Sequence, residues 1–332
     1  MLAYIVRRFA IMLPTLFATS AIIFGVMLLS PSDYFSNYVA ELQAQGEKVD
    51  TSRIDFMRKE YGLDKPPVER YFRWIGGFFV GDFGYSFEYQ MPVSKVVGDR
   101  LYLTMLLSFG TILFTWIVAF PIGIYSATHQ YSFADYGLTT LGLLGLAIPH
   151  FLLALVFLYF ANVWFGLSIG GLMDPKYFNQ PMSWDKAQSI LAHLWIPVII
   201  IGTAGTGSMI RTIRANLLEE LQKQYVTTAR AKGLHPFRAL IKYPFRLAMN
   251  FFIADIGSLL PSIVSGAELV AVVLSLQTTG PLLIHALQTQ DTYLAGSFLM
   301  FLATLTIFGV LVSDLALALL DPRIRLQGSS RK

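Results

Sequence analysis

The chain has 332 residues, 55% of them hydrophobic and only 14% charged, far below the near-quarter of charged residues in a soluble domain. It contains no cysteine, which excludes disulfides, thiolate nucleophiles and cysteine-ligated metals. A net charge of +4 is what basic loops on one side of a bilayer produce, and nucleic acid is not indicated as a partner. The composition is that of an all-α integral membrane protein.

Six apolar stretches are long enough to cross a hydrocarbon core of ~30 Å. The first runs from about Phe9 to Ser30, behind Arg7 and Arg8. It is too long for a cleaved signal and no A-x-A site follows, so residues 1–30 are read as a retained anchor with a cytoplasmic N-terminus. Residues 31–100 form a large extracytoplasmic segment. Within it, 36–60 read as a polar amphipathic helix, stopped by Tyr61-Gly62-Leu63-Asp64-Lys65-Pro66-Pro67. Tyr71, Trp74 and Gly81-Asp82-Phe83-Gly84-Tyr85-Ser86 follow, an aromatic density that predicts a structured external cap.

The second span is expected from about Leu101 to Thr128, the third from Gly137 to Gly166 and the fourth from Ile190 to Met209. Gly202, Gly205 and Gly207 make the fourth short, or let a neighbouring helix approach closely. Pro121, Pro149, Pro197 and Pro261 predict kinks within spans. His150 and His193 have no partner at metal-ligand spacing and read as structural polar contacts.

Next comes a cytoplasmic loop, 211–248, with eight Lys and Arg between Arg211 and Arg246. It reads as two short helices at an angle. Ile213, Leu217, Leu221 and Tyr225 recur every four residues as one apolar stripe, with Arg214, Glu220 and Lys223 on other faces. Gly233, followed by Pro236, ends the second helix. Ala229 and Ala231 are small enough for a partner's groove to approach the backbone. Arg230 and Lys232 place positive charge at the helix C-terminus, where the macrodipole favours it.

The fifth span is expected from about Met249 to Val273 and the sixth from Leu294 to Leu320, with a cytoplasmic tail at 321–332. The basic residues then fall mostly on the cytoplasmic side, with both termini inside. Asp255, Glu268 and Asp314 are ionisable groups within or near spans, each in need of protein or water around it. Asp255 and Glu268 are candidates for a pathway or gate, and pairing between helices is equally open for them. No G-x-x-x-x-G-K-[ST], H-E-x-x-H or G-x-S-x-G motif occurs, so the chain carries neither a nucleotide cradle nor a hydrolase constellation.

Three ordered stretches resemble the B-type permeases of the dipeptide/oligopeptide family of ATP-binding-cassette importers. They are Tyr61 to Pro66 with Tyr71, Trp74, Gly81 to Gly84 and Pro92-Val93; Tyr225 to Gly233; and Ser313-Asp314-Leu315 with Leu320-Asp321-Pro322-Arg323-Ile324-Arg325. The opening Tyr4-Ile5-Val6-Arg7-Arg8 fits as well. Residues 247–248 and Phe251 depart from the family's usual Arg-Asn-Ala and Pro, with Pro244 earlier instead. Gln277-Thr278-Thr279-Gly280-Pro281 departs from its external Pro-Gly-x-Gly pattern.

The resemblance implies a type I importer transmembrane domain, with the permease core at 101–320, in a bacterial inner membrane. Its ATPase-coupling residues would be Glu219, Glu220, Tyr225, Thr228, Ala229, Arg230, Ala231, Lys232 and Gly233. The implied partners are a second homologous permease, two cytoplasmic ATPases and an extracytoplasmic solute-binding protein. This chain would bind no cofactor, since ATP and Mg belong to the ATPases. Peptide is the implied cargo; oligosaccharide, nickel chelate or opine are the alternatives within the same family. A secondary transporter would show paired repeats or midplane charges, and an intramembrane enzyme a catalytic cluster; the sequence has neither.

Overall fold

The computed structural model describes residues 2–29, 33–46, 51–165, 170–178, 180–253 and 268–320. In chain order, α1 (Leu2–Leu28), α2 (Tyr34–Ala44), α3 (Thr51–Glu60) and α4 (Pro67–Val80) lead to a small antiparallel pair, β1 (Tyr85–Ser86) and β2 (Met91–Pro92). Then come α5 (Val93–Thr128), α6 (Phe133–Ala147), α7 (His150–Phe165), α8 (Trp184–Leu221), α9 (Gln224–Ala231) and α10 (Pro236–Leu240). A helix over 246–253, α11, precedes α12 (Glu268–Val273), α13 (Thr279–Gln288) and α14 (Thr292–Leu320).

Four of these helices are long and apolar enough to cross a membrane: α1, α5, α8 over Trp184–Thr203, and α14. The α6–α7 pair makes a fifth if it counts as one span. Most of the span expected from Met249 to Val273 falls outside the described residues, as do Asp255, Pro261 and the tail motif from Asp321 onward.

Two expectations change. The single helix expected from Gly137 to Gly166 is two helices bent by 97°. Ile148, immediately before Pro149, is extended with φ −80° and ψ 124°. A proline ring disfavours the helical region for the residue before it; here α6 ends at that residue and α7 restarts with its first turn on the Pro149 carbonyl. The fourth span, in turn, does not stop near Met209. It continues as one 38-residue helix to Leu221, with Pro197 inside it. The first of the two short helices expected in the loop is therefore the end of α8.

The chain divides into two compact units, one of residues 2–102 with 278–307, the other of 103–277 with the chain from 308 onward. In the first unit α1 packs on α4. Phe24 meets Tyr71 edge to face at 5.4 Å, and the Tyr71 hydroxyl lies 2.8 Å from Ser20 Oγ, both groups buried. Pro67 opens α4 at its first position, where a missing N–H costs nothing. The Gly81 to Gly84 motif has a local physical reason at each step. Gly81 closes α4 in the left-handed region at φ 79°. The Asp82 carboxylate accepts the Gly84 N–H at 2.9 Å, and the Phe83 carbonyl accepts Ser297 Oγ–H at 2.6 Å. Gly84 has φ +89°, and a Cβ there would lie 2.9 Å from the Tyr293 ring. Phe35, Ile54 and Phe87 form a buried cluster beside it, flanked by Tyr61 and Tyr293.

In the second unit α8 is the central element. Its glycines are points of close approach. A Cβ on Gly202 would lie 2.6 Å from the Phe114 ring on α5, and one on Gly145 of α6 would lie 2.6 Å from Thr203. Gly207 lies directly on the Gly142 backbone of α6. Helices without side chains at the contact can bring their backbones together, which is the commonest route to tight association in lipid. Around the other end of α8, Ile190, Leu194, Ile196, Val198 and Ile200 form one core with Leu172, Val270 and Leu274. The Leu274 carbonyl accepts the Gly171 N–H at 2.7 Å, and Gln277 Oε1 accepts the Leu172 N–H at 3.1 Å.

Candidate functional site

The expected coupling segment is built on the end of α8. Ile213 and Leu217 are buried there, and Leu217 packs with Ala127, Leu240 and Ala248. The helix then tightens: the Gln222 and Lys223 N–H groups reach back only three residues, to the Glu219 and Glu220 carbonyls at 3.3 and 3.2 Å. Lys223 is extended (φ −70°, ψ 145°), and α9 starts in a new direction. Two contacts hold it. Val226 is buried at 1% exposure. The Tyr225 hydroxyl donates to the Glu220 carboxylate; burial and then this carboxylate push the phenol above its ordinary pKa. Tyr225 also faces the Tyr243 ring, 6.3 Å away.

The far end of α9 is a Schellman closure. The Leu234 N–H bonds to the Ala229 carbonyl at 3.2 Å and the Gly233 N–H to the Arg230 carbonyl at 2.9 Å, with Gly233 at φ +78°. Pro236 then opens α10, whose first turn is capped by the His235 ring at 3.3 Å from the Phe237 N–H. Pro244 sits inside a π-helical turn at Ile241–Phe245 that leads straight into α11. A wider turn accommodates a residue that lacks the N–H of the ordinary ladder, and this is how the chain re-enters a helix without the proline expected near Phe251.

The candidate residues divide clearly. Thr228, Arg230, Ala231, Lys232 and Gly233 are exposed together with Gln224 and Thr227, while Ala229 and Tyr225 are half-buried. Glu219 is exposed and pairs with Lys223 at 2.9 Å, one turn apart on the surface, a contact worth only ~0.3–0.5 kcal/mol. Glu220 faces inward to Tyr225. The result is a short, firmly anchored helix whose outer face is polar and small. Glu268 opens α12 and is half-buried; Asp255 lies outside the described residues. Glu268, on α12, and the cluster on α9 lie on separate elements. His193 Nδ1 lies 2.7 Å from the Ser189 carbonyl, in keeping with a structural role.

One ion pair was not singled out by sequence. Asp135, in the first turn of α6, is 2% exposed and receives two hydrogen bonds from Arg214 of α8, from Nε at 3.0 Å and Nη2 at 2.9 Å. It also accepts the Tyr131 N–H at 2.9 Å and Thr139 Oγ1–H at 3.3 Å. Ser132 caps α6 by accepting the Asp135 N–H at 3.1 Å. The Ser132-Phe133-Ala134-Asp135 spacing is a helix-start signature and would have placed the carboxylate, though not its partner.

Comparison with known proteins follows the same lines. Residues 119–326 match the family model described as binding-protein-dependent transport system inner membrane component, and residues 1–108 match the N-terminal model of the same systems. A putative peptide permease protein of Brucella ovis is 32% identical, covering 98% of this chain and 100% of that protein. The oligopeptide transport system permease protein AppB of Bacillus subtilis is 31% identical over 98% and 99%. The dipeptide transport system permease protein DppB of Escherichia coli K12 is 28% identical over 98% and 99%. Among solved structures, an inward-facing MetNI methionine ABC transporter is similar in fold, with a TM-score of 0.51 at 15% identity, covering 68% of this chain and 96% of that one.

Proposed function

Because this chain belongs to the family of binding-protein-dependent transport system inner membrane components, as a permease subunit of an ABC importer and not an enzyme, we propose that it carries peptides and that α9 is where separate ATPases grip it. The observation that carries the coupling reading is the exposed face of Gln224, Thr227, Thr228, Arg230, Ala231 and Lys232 on a helix anchored by Val226 and Tyr225. A helix with that face has no apolar surface to lay into lipid, yet it is too well fixed to be a loose loop. The names of the three relatives reported above, a putative peptide, an oligopeptide and a dipeptide permease, support the cargo.

In this reading the chain is one of two permease subunits, served by two ATPases that hold ATP and Mg and by an external solute-binding protein. Both termini are cytoplasmic, and the 31–100 segment lies outside, where the binding protein docks. Closure of the ATPases displaces α9. Since only Gln222 and the extended Lys223 separate α9 from α8, the displacement is delivered to α8 as a rigid push, and access to the path alternates. Glu268 serves that path in the same reading.

The test is copurification and uptake. The chain, expressed with its partner permease, should bring the ATPases with it, and the assembled system should take up labelled di- and oligopeptides. Uptake of an oligosaccharide, nickel chelate or opine in place of peptide would reassign the cargo but leave the coupling reading intact. Failure to retain any ATPase would remove it.

A further inference from the structure

We infer that Asp135 is a positioning residue for transport: its two-pronged grip on Arg214 makes α6 travel with α8 when α9 is displaced. This rests on α9 being the ATPase contact.

Three of the contacts that join α6 to α8 mark one antiparallel register. Asp135 meets Arg214; two turns further along each helix Gly142 lies against Gly207; a turn beyond that Gly145 lies against Thr203. Gly142 meets Gly207 backbone against backbone, Gly145 meets the Thr203 side-chain methyl, and both contacts are non-directional. They hold the helices close but resist sliding or rotation weakly. The guanidinium–carboxylate fork supplies what they lack, since two parallel hydrogen bonds fix both distance and angle. It sits at the end of the contact nearest α9, on the stretch of α8 between Thr203 and Leu221 that any push must cross.

The carboxylate is fully used, with four donors at 2.9–3.3 Å, so its own orientation toward Arg214 is fixed. Asp135 is buried and Arg214 half-buried; an ion pair withdrawn from water is a poor stabiliser compared with apolar groups of the same shape, and its distinctive contribution is geometric. At the other end, α6 stops at Ile148, where the 97° bend to α7 begins. The structure thus assigns α6 and α8 to one moving body, clasped at the end nearest α9.

The experiment uses the complete transporter, reconstituted in lipid vesicles with its ATPases and binding protein, and reads substrate imported per ATP hydrolysed. Asp135→Asn and Arg214→Lys are expected to assemble with their ATPases and keep basal hydrolysis, while import per ATP falls roughly tenfold, within the range that coupling between sites spans. Arg214→Lys keeps the charge and loses only the fork, so it serves should Asp135→Asn fail to assemble. The absence of native cysteine allows a rescue: Asp135→Cys with Arg214→Cys should be uncoupled until a short bis-methanethiosulfonate bridges the pair through two disulfides, each releasing methanesulfinate, and then recover. Wild-type import per ATP in Arg214→Lys, or arrest instead of recovery on bridging, overturns the inference. Gly233→Val separates it from the coupling reading. If that variant keeps its ATPases and transports normally, the reading of α9 fails; if it loses them while Arg214→Lys remains coupled, only the clasp fails.

Discussion

Ser86 donates a 2.6 Å hydrogen bond to the Asp291 carboxylate, both side chains fully buried and 205 residues apart in sequence. The same oxygen accepts the Glu88 N–H at 3.2 Å, and the other accepts the Leu294 N–H at 3.3 Å, which caps α14. Burial raises the Asp291 pKa above its ordinary value, and these hydrogen bonds pull it back only in part. The sign follows: the stability this group adds is fully present below its ordinary pKa and is lost as pH rises through the raised one. Ser86→Ala removes a donor that the ionised form needs most. It should lower stability by about 1.5–3 kcal/mol at pH 8 and by less at pH 5, read as thermal midpoints of the purified complex in detergent. An equal loss at both pH values would show that the carboxylate does not titrate in this range.

Gly233→Val should uncouple the transporter. Open space surrounds the position, so the penalty is in the backbone, roughly 1–2 kcal/mol for a side chain in the left-handed region. That is enough to unwind the closing turn of α9. The variant should insert normally, while recovery of ATPase in a pull-down and peptide uptake both drop. Wild-type values for both would refute the role of this turn.

The proposed orientation is checked by fusion. An alkaline phosphatase reporter joined after Ser86 should be active, because that enzyme needs the external compartment, and one joined after Gln224 should be silent. The reverse pattern would place α9 on the wrong face for a cytoplasmic ATPase.

Glu268→Gln keeps the shape of a half-buried side chain at the start of α12 and removes its charge. If the carboxylate lines a gate, assembly and ATPase association stay unchanged while stimulation of hydrolysis by loaded binding protein shifts. If it pairs helices instead, the yield or thermal midpoint of the complex falls. Unchanged values throughout would remove Glu268 from the path.

Particular residues mark how far the sequence could be read. Gly233 was legible as a left-handed helix end because only one residue type is comfortable there, and it is at φ +78°. The stop at Tyr61 to Pro67 was legible for the same reason: α3 ends at Glu60 and α4 opens at Pro67. The amphipathic helix expected over 36–60 is instead α2 and α3, with 47–50 between them outside the described residues. Pro149 was legible as a kink but not as a 97° bend, since a proline dictates only the conformation of its predecessor and the angle depends on what α6 and α7 pack against. The end of α8 was missed because hydropathy stops at the membrane surface, whereas a helix stops only where capping or packing stops it.

By itself, the sequence determined the class and family of this protein. Apolar runs of spanning length, basic loops and local helix-ending residues are properties of neighbours along the chain, and they need no knowledge of the fold. Only the tertiary structure decided which residues meet: Asp135 with Arg214, Gly142 with Gly207, Ser86 with Asp291. Each partner is far away in sequence and unremarkable alone. Their roles come from burial and directed hydrogen bonds, which exist only once the helices have packed.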